Sequence, residues 1–171
     1  ITPRALPVSA SGIDWIYGGS TVGSVDLSDD RVLGDALTLS YGAASFLNKN
    51  VANDKSVSVT GIDVTGTDSG NYTFNTGAST TADITPKALT VSAAGNDRIY
   101  DGTKGATVNL SDDRVAGDVL TLSYGAASFL NKNVANNKSV SVTGINVTGT
   151  DSGNYTFNTG ASTTAKATPK A

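Results

Sequence analysis

The chain has 171 residues, no histidine, no cysteine and a net charge of −3. Without histidine or cysteine, His-dependent triads, thiol nucleophiles and zinc or haem sites all lack their usual residues. The acidic balance and the lack of any Lys or Arg run argue against nucleic-acid binding, and no apolar stretch reaches the length of a membrane span.

The first segment of the chain begins an internal repeat. Residues 1–6 recur at 84–89, an offset of 83 residues that then holds without a gap. Residues 37–53 are identical to 120–136, and residues 64–82 are identical to 147–165. We therefore predict two tandem domains, residues 1–83 and residues 84–171, the second ending in the first residues of a third copy.

The local pattern in each copy alternates apolar and polar residues, as half-buried β-strands do. The alternating pairs in copy two are Leu89 and Val91, Val140 and Val142, Ile145 and Val147, and Tyr155 and Phe157. Gly61 and Gly144 each stand where the alternation changes phase, which predicts a bulge or a tight bend. Turn-forming residues at 131–133, 149–154 and 158–160 predict loops. All 15 acidic residues are Asp and none is Glu, which also favours a mostly β fold.

One short segment suggests a helical turn instead. In residues 110–115, Ser111 would cap the free amides, and Asp112 and Asp113 would face the positive end of the helix dipole. Gly117 would end the turn. At most, then, the fold is α+β.

The joint between the copies lies at residues 81–86. The last strand of copy one is expected to run through Ile84, Thr85 and Pro86 into copy two with no flexible Gly/Ser stretch. Pro86 fixes its own φ and favours extended geometry at Thr85. We therefore expect a stiff linker and two domains arranged end to end as an elongated rod.

Motifs along nearly all of both copies resemble the YDG repeat. They are Tyr100-Asp101-Gly102-Thr103, Gly117-Asp118, and the stretches 84–87, 129–134, 140–144 and 149–155. That family is similar to the mostly-β-grasp (MBG) repeats that form arrays in filamentous-haemagglutinin-like adhesins of Gram-negative bacteria. The resemblance implies two β-grasp-like domains, a stalk role and a place outside the bacterial cell or on its surface. Copy one departs from the motif, because Gly18 stands where copy two has Asp101, and this argues against a catalytic Asp101.

Three sets of side chains suggest chemistry, and each has a structural alternative. The acidic clusters are Asp29, Asp30 and Asp35 in copy one and Asp112, Asp113 and Asp118 in copy two. They would suit calcium or a pair of catalytic carboxylates, but no DxDxDG-like loop is present and we expect helix capping and solvation. Lys49 and Lys132 lie in Asn-rich loops and would suit an isopeptide crosslink. Such a crosslink needs a buried acid, which would have to be Asp because the chain has no Glu, so we expect both lysines to be solvated.

The sequons at Asn71, Asn109, Asn137, Asn146 and Asn154 are candidates for glycosylation, with turn formation as the alternative for Asn71 and Asn154.

Trp15 is the one candidate for contact with a partner. The copies differ most between residues 7–26 and 90–109, where Trp15 is replaced by Arg98 and Ile13 by Asn96. A position that accepts both Trp and Arg is expected to be exposed, and an exposed Trp can stack on a sugar ring or on a protein surface. The alternative is a partly covered surface side chain. The other aromatic residues are the same in both copies and are expected in the core.

Two functions remain open. The first is a non-enzymatic stalk or spacer of a secreted or surface-anchored bacterial adhesin, which projects a distal adhesive region and contacts neighbouring repeats of its own chain. The second is a module that binds a host or matrix glycan or protein directly, with repeats supplying avidity. We predict no catalytic residue, cofactor or metal, and we expect a monomer.

Overall fold

The structure, a computed structural model, describes residues 1–171 and consists of β-strands and two short 3₁₀ helices, with no α-helix. The prediction of a mostly β fold with two repeats is confirmed. Contacts divide the chain into two compact units, Ile1–Pro86 (unit one) and Lys87–Ala171 (unit two). No helix has the length and hydrophobicity that crossing a membrane requires.

Unit one contains ten strands and one 3₁₀ helix, Ser69–Asn71. The strands are β1 (Arg4–Leu6), β2 (Ser9–Gly12), β3 (Trp15–Ile16), β4 (Val25–Ser28), β5 (Thr38–Ser40), β6 (Ala43–Phe46), β7 (Ala52–Thr60), β8 (Asp63–Thr65), β9 (Tyr72–Phe74) and β10 (Gly77–Thr85).

Unit two repeats this order and has its 3₁₀ helix at Ser152–Asn154. Its strands are β11 (Lys87–Leu89), β12 (Val91–Gly95), β13 (Arg98–Ile99), β14 (Val108–Asp112), β15 (Thr121–Ser123), β16 (Ala126–Phe129), β17 (Ala135–Thr143), β18 (Asn146–Thr148), β19 (Tyr155–Phe157) and β20 (Gly160–Thr168).

Each unit is built on a four-stranded sheet. In unit one its order is β3-β10-β7-β6, with β10 antiparallel to β7 and parallel to β3. Three two-stranded ladders complete the unit: β1 and β9 are parallel, while β2–β4 and β5–β8 are antiparallel. Unit two has the equivalent sheet β13-β20-β17-β16 and the ladders β11–β19, β12–β14 and β15–β18.

The core lies on one face of the sheet because the long central strand alternates with a period of two. In β7, Lys55, Val57 and Val59 are buried while Ser56 and Ser58 face solvent. Burying a Val side chain contributes about 1.5–3 kcal/mol, so this strand anchors the core of its unit. The other buried apolar side chains of unit one are Leu6, Val8, Tyr17, Val25, Ala44, Phe46, Ile62, Val64, Tyr72, Ala82 and Ile84.

The glycine bends predicted from the change of phase are confirmed. Gly61 and Gly144 have φ +67 and connect the long strand of each unit to the next one. A Cβ at Gly61 would lie 3.1 Å from the backbone nitrogen of Gly42, so both the backbone angle and the space at this position favour glycine.

The prediction of a helical turn at residues 110–115 is wrong. Residues Val108–Asp112 form β14, which pairs with β12 from Val91↔Asp112 to Gly95↔Val108. A six-residue helix would satisfy few backbone groups for its cost of nucleation, whereas the ladder provides a partner for five successive residues. Asp112 therefore ends a strand instead of opening a helix.

The last strand of unit one runs through Ile84 and Thr85 as expected, but it ends before Pro86. β10 ends at Thr85 and β11 starts at Lys87, so Pro86 is the one residue between the last strand of unit one and the first strand of unit two.

Candidate functional site

The acidic cluster of each copy lies on a loop that its own side chains hold in shape. Asp29 has a side chain only 2% exposed and accepts hydrogen bonds from the backbone N–H of Arg31 (2.9 Å), its Nε (2.9 Å) and its Nη2 (2.5 Å). The same guanidinium donates from Nη1 to the carbonyl oxygen of Leu37 at 2.6 Å. This ion pair fastens the end of β4 to the segment that leads into β5.

The side-chain hydrogen bonds between Asp29 and Arg31 shift the pKa values of both groups. Hydrogen bonding to Arg31 holds the pKa of Asp29 below its ordinary value, and Asp29 in turn raises the pKa of Arg31. Asp112 and Arg114 form the same pair in unit two, where the pKa of Asp112 is lowered by the hydrogen bond from Arg114. Both carboxylates therefore stay ionised to a lower pH than an ordinary aspartate does.

The other carboxylates of the cluster also have structural partners, so the expected role in helix capping is wrong. The Tyr72 hydroxyl donates to Asp35 at 2.5 Å and accepts from the Val32 N–H at 3.0 Å, and the bond to Asp35 raises the pKa of Tyr72. Asp30 forms an exposed ion pair with Arg4 at 3.0 Å. No group of three or more acidic side chains is arranged so that it could hold a metal ion.

The turn at Tyr100-Asp101-Gly102-Thr103 also has a clear structural basis. The Asp101 Oδ1 accepts from both the backbone N–H and the hydroxyl of Thr103 at 2.9 Å, which fixes the turn. Gly102 follows with φ +85, and Gly19 has φ +76 at the same place in unit one. The glycine supplies a backbone angle that side chains disfavour, and the aspartate closes the turn around it.

Comparison with protein families gives the same repeat. The YDG domain family matches residues 2–82 and again residues 85–165. The chain belongs to the YDG domain family. A comparison with curated proteins found no match.

The departure of the first YDG domain from its motif is one half of a paired exchange. In the second domain, Arg98 forms an ion pair with Asp101, donates to the Thr103 hydroxyl at 2.7 Å and also donates to the Gly105 carbonyl. In the first domain Trp15 takes the place of Arg98, and its Nε1 lies 4.0 Å from the position that a Cβ on Gly18 would occupy. With Trp15 in place of the arginine, the first domain lacks the ion-pair partner that the aspartate has in the second domain.

This exchange leaves an apolar patch on the first YDG domain alone. Ile13, Trp15 and Val22 are exposed by 40%, 38% and 61%. Asn96, Arg98 and Gly105 stand at the same places in the second domain. Trp15 is therefore accessible to a partner, whereas its equivalent is part of a polar network.

The buried lysines are residues that the sequence reasoning missed. Lys55 and Lys138 are each 7% exposed, whereas the Asn-rich loops of the sequence point to Lys49 and Lys132. The Lys138 Nζ donates to the Asn131 Oδ1 at 2.6 Å and to the Asn133 carbonyl oxygen. Lys55 makes the same two bonds with Asn48 and Asn50, and burial lowers the pKa of Lys55. The sequence does contain a signal for the burial of Lys55, because Lys55 occupies the same strand face as Val57 and Val59.

The Lys55 ammonium group holds the loop 48–50 between β6 and β7, and the Lys138 ammonium group holds the loop 131–133 between β16 and β17. The Asn48 Oδ1 also accepts the backbone N–H of Asn50 at 3.0 Å, so one side chain joins the loop to the lysine. The lysine of the loop itself, Lys49, lies with its Nζ 5.8 Å from the centre of the Tyr17 ring.

The five sequons differ in accessibility. Asn154 is only 5% exposed in the folded chain. The four others, Asn71, Asn109, Asn137 and Asn146, are exposed.

Proposed function

We propose that these two YDG domains form a non-enzymatic stalk or spacer segment of a bacterial adhesin that is secreted or anchored to the cell surface. The observation that carries the proposal is the passage from β10 to β11 through Pro86 alone. A joint of one proline gives tandem domains little of the freedom of a Gly/Ser tether. The adhesin context comes from the arrays in which YDG-like repeats occur.

The side chains that suggested chemistry add a second line of support. Asp29 and Asp112 close loops through Arg31 and Arg114, and Asp101 closes the turn of the YDG motif. These carboxylates contribute to the fold of each domain. Repeats of a domain that its own side chains stabilise lengthen a stalk and need no catalytic site to do so.

Small-angle X-ray scattering tests the end-to-end arrangement, which stays a prediction. A single compact body of this length should have a radius of gyration of about 16 Å, whereas two domains in a row should exceed about 20 Å. We expect the larger value. A value near 16 Å would contradict the stalk proposal and would favour a shared binding cleft.

The second candidate function, binding of a glycan or a protein, is favoured by one observation, the apolar patch around Trp15. A partly exposed Trp beside Ile13 and Val22 offers a flat apolar surface on which a sugar ring or an apolar side chain could stack. The repeats would then act through surfaces that differ between domains.

A transplant from the second domain separates the two functions. The double variant Trp15→Arg/Gly18→Asp recreates the arrangement of Arg98 and Asp101, so it should fold with a stability within about 1 kcal/mol of the wild type. On glycan arrays and immobilised matrix proteins, the stalk proposal predicts the same absence of binding for both proteins. Binding by the wild type that the folded double variant loses would establish the binding module instead.

A further inference from the structure

In each unit, the strand through which the chain enters and the strand through which it leaves each have a parallel partner of their own. In unit one the chain enters through β1, which runs parallel to β9 in the register Arg4↔Tyr72 to Leu6↔Phe74. Two residues, Asn75 and Thr76, connect β9 to β10, through which the chain leaves the unit. β10 is parallel to β3 over two residue pairs and antiparallel to β7 over seven.

Parallel pairing of terminal strands decides how tension acts on their hydrogen bonds. Tension pulls β1 toward its N-terminal end, while β9 is anchored at its C-terminal end by β10, which β7 and β3 hold in the sheet. Because β9 runs in the same direction as β1, the pull slides β1 past β9 along the ladder, and the hydrogen bonds cross the direction of sliding. All the bonds of the ladder are then loaded together, whereas antiparallel terminal strands would open one bond at a time.

We propose that each unit is a load-bearing module whose resistance to tension resides in its two parallel ladders. In unit one these ladders are β1–β9, which the side chain of Asn75 extends, and β3–β10. The equivalent ladders in unit two are β11–β19, which the side chain of Asn158 extends, and β13–β20. This inference rests on the proposed stalk function for its biological meaning. The resistance to tension itself can be measured on the isolated chain.

Asn75 extends the β1–β9 ladder beyond the last backbone pair. Its Oδ1 accepts the N–H of Val8 at 2.8 Å, and its Nδ2 donates to the Val8 carbonyl oxygen at 3.0 Å. The same Nδ2 donates to the Gly77 carbonyl oxygen at 2.8 Å, at the start of β10. One amide side chain therefore joins the segment after β1 to the strand through which the chain leaves the unit.

The second unit has the same side-chain rung. Asn158 accepts the Val91 N–H at 2.8 Å and donates to the Val91 carbonyl oxygen at 2.9 Å and to the Gly160 carbonyl oxygen at 2.8 Å. Val8 and Val91 are 4% and 2% exposed, so the bonds to the two valines are partly shielded from competing water, whereas those to Gly77 and Gly160 are exposed.

A further side-chain rung crosses to the last strand, close to the β3–β10 ladder. The Asp14 Oδ1 accepts the backbone N–H of Asp83 at 2.9 Å, and the Asp97 Oδ1 accepts that of Lys166 at 2.7 Å. The acceptor is Asp in both units while the residue that donates changes from Asp to Lys. Only the backbone group of the donor takes part in this bond, and the Asp83 carboxylate separately accepts the backbone N–H of Asp54 at 2.8 Å.

Single-molecule force spectroscopy on the full chain, held at its two ends, tests the proposal. The wild type should show two unfolding events, each releasing a contour length of about 250–300 Å, since an extended chain spans about 3.3–3.6 Å per residue. Asn75→Ala should raise the unfolding rate at constant force by about tenfold or more for one event and leave the other unchanged. The unit with Asn158 intact is the control within the same molecule.

Asn48→Ala is the matched control variant. It removes the side-chain bonds to Lys55 and to the Asn50 N–H in the loop between β6 and β7, which belongs to neither parallel ladder, so the unfolding rate at constant force should stay within about twofold of the wild type. Equal acceleration by both variants, or no change with Asn75→Ala, would overturn the proposal. If Asn75→Ala leaves unit one unfolded before pulling, Asn75→Asp, which retains the acceptor for Val8, replaces it and the same outcomes decide.

The outcomes also separate this inference from the proposed function. A radius of gyration near 16 Å would remove the stalk proposal and leave the force measurement unaffected. An extended chain in which Asn75→Ala changes nothing under force would keep the spacer and remove its load-bearing role.

Discussion

Gly12→Ala should destabilise unit one by about 3 kcal/mol or more and lower its melting temperature by roughly 12 °C or more, while unit two keeps its own transition. A Cβ on Gly12 would lie 2.2 Å from the carbonyl oxygen of Thr81 and 2.8 Å from the Cβ of Ala82. Both atoms belong to or are fixed by the backbone of β10, so no side-chain rotation relieves the clash. Calorimetry should therefore show one melting event become two.

A second glycine provides the matched control for this result. Gly70 has no atom within 4 Å of its added Cβ, so Gly70→Ala should change the unfolding free energy by no more than about 0.5 kcal/mol. Gly95→Ala should reproduce the loss in unit two, where the added Cβ would meet the Thr164 carbonyl oxygen at 2.6 Å. Equal melting curves for Gly12→Ala and Gly70→Ala would show that β2 does not pack against β10 as described.

The strands could be predicted from the sequence because a period of two is a local signal. Val140 and Val142, with Ser141 between them, need no knowledge of the rest of the chain to be assigned to a strand. The partners of a strand are a different matter, since they depend on contacts far apart in sequence. Nothing local in residues 4–6 indicates that β1 pairs with β9, 66 or more residues away, or that the pairing is parallel.

The misassigned turn at residues 110–115 shows how local chemistry can mislead. Two successive Asp residues after a Ser are good helix-capping residues in isolation. The same carboxylates also suit the hydrogen bonds of an Asp-x-Arg turn, and Arg114 lies two residues after Asp112. The choice depends on β12, which supplies a ladder for the preceding residues and keeps them extended.

The contacts of the candidate site were less accessible to sequence reasoning than the strands. Trp15 could be identified as accessible because copy two has Arg98 in its place. Arg98 forms an ion pair with Asp101, and copy one has neither residue. These two differences between the copies lie three residues apart, and the sequence alone does not show that the two side chains meet.

The second large effect is expected at the partly buried ion pair of the acidic loop, between Asp29 and Arg31. Asp29→Asn should destabilise unit one by about 2 kcal/mol at pH 7, because hydrogen bonds to a charged group contribute roughly 1.5–3 kcal/mol and the new amide turns a donor toward Arg31. Asp30→Asn changes the net charge equally but removes only an exposed pair with Arg4, so it should cost less than about 0.5 kcal/mol. Urea unfolding at pH 7 measures both losses.

The response of this pair to acid has a definite sign. The pKa of Asp29 is lower in the folded protein than its ordinary value of 3.8, so the unfolded chain binds a proton first as the pH falls. The stabilisation is therefore complete above about pH 5 and is lost progressively as the pH falls below 3.8 toward the folded pKa. Asp29→Asn should remove this part of the acid dependence of unit one, while Asp30→Asn should retain it. An unchanged acid slope in folded Asp29→Asn would mean that the loop is held by its backbone bonds and Tyr72, and that the charge of Asp29 contributes little.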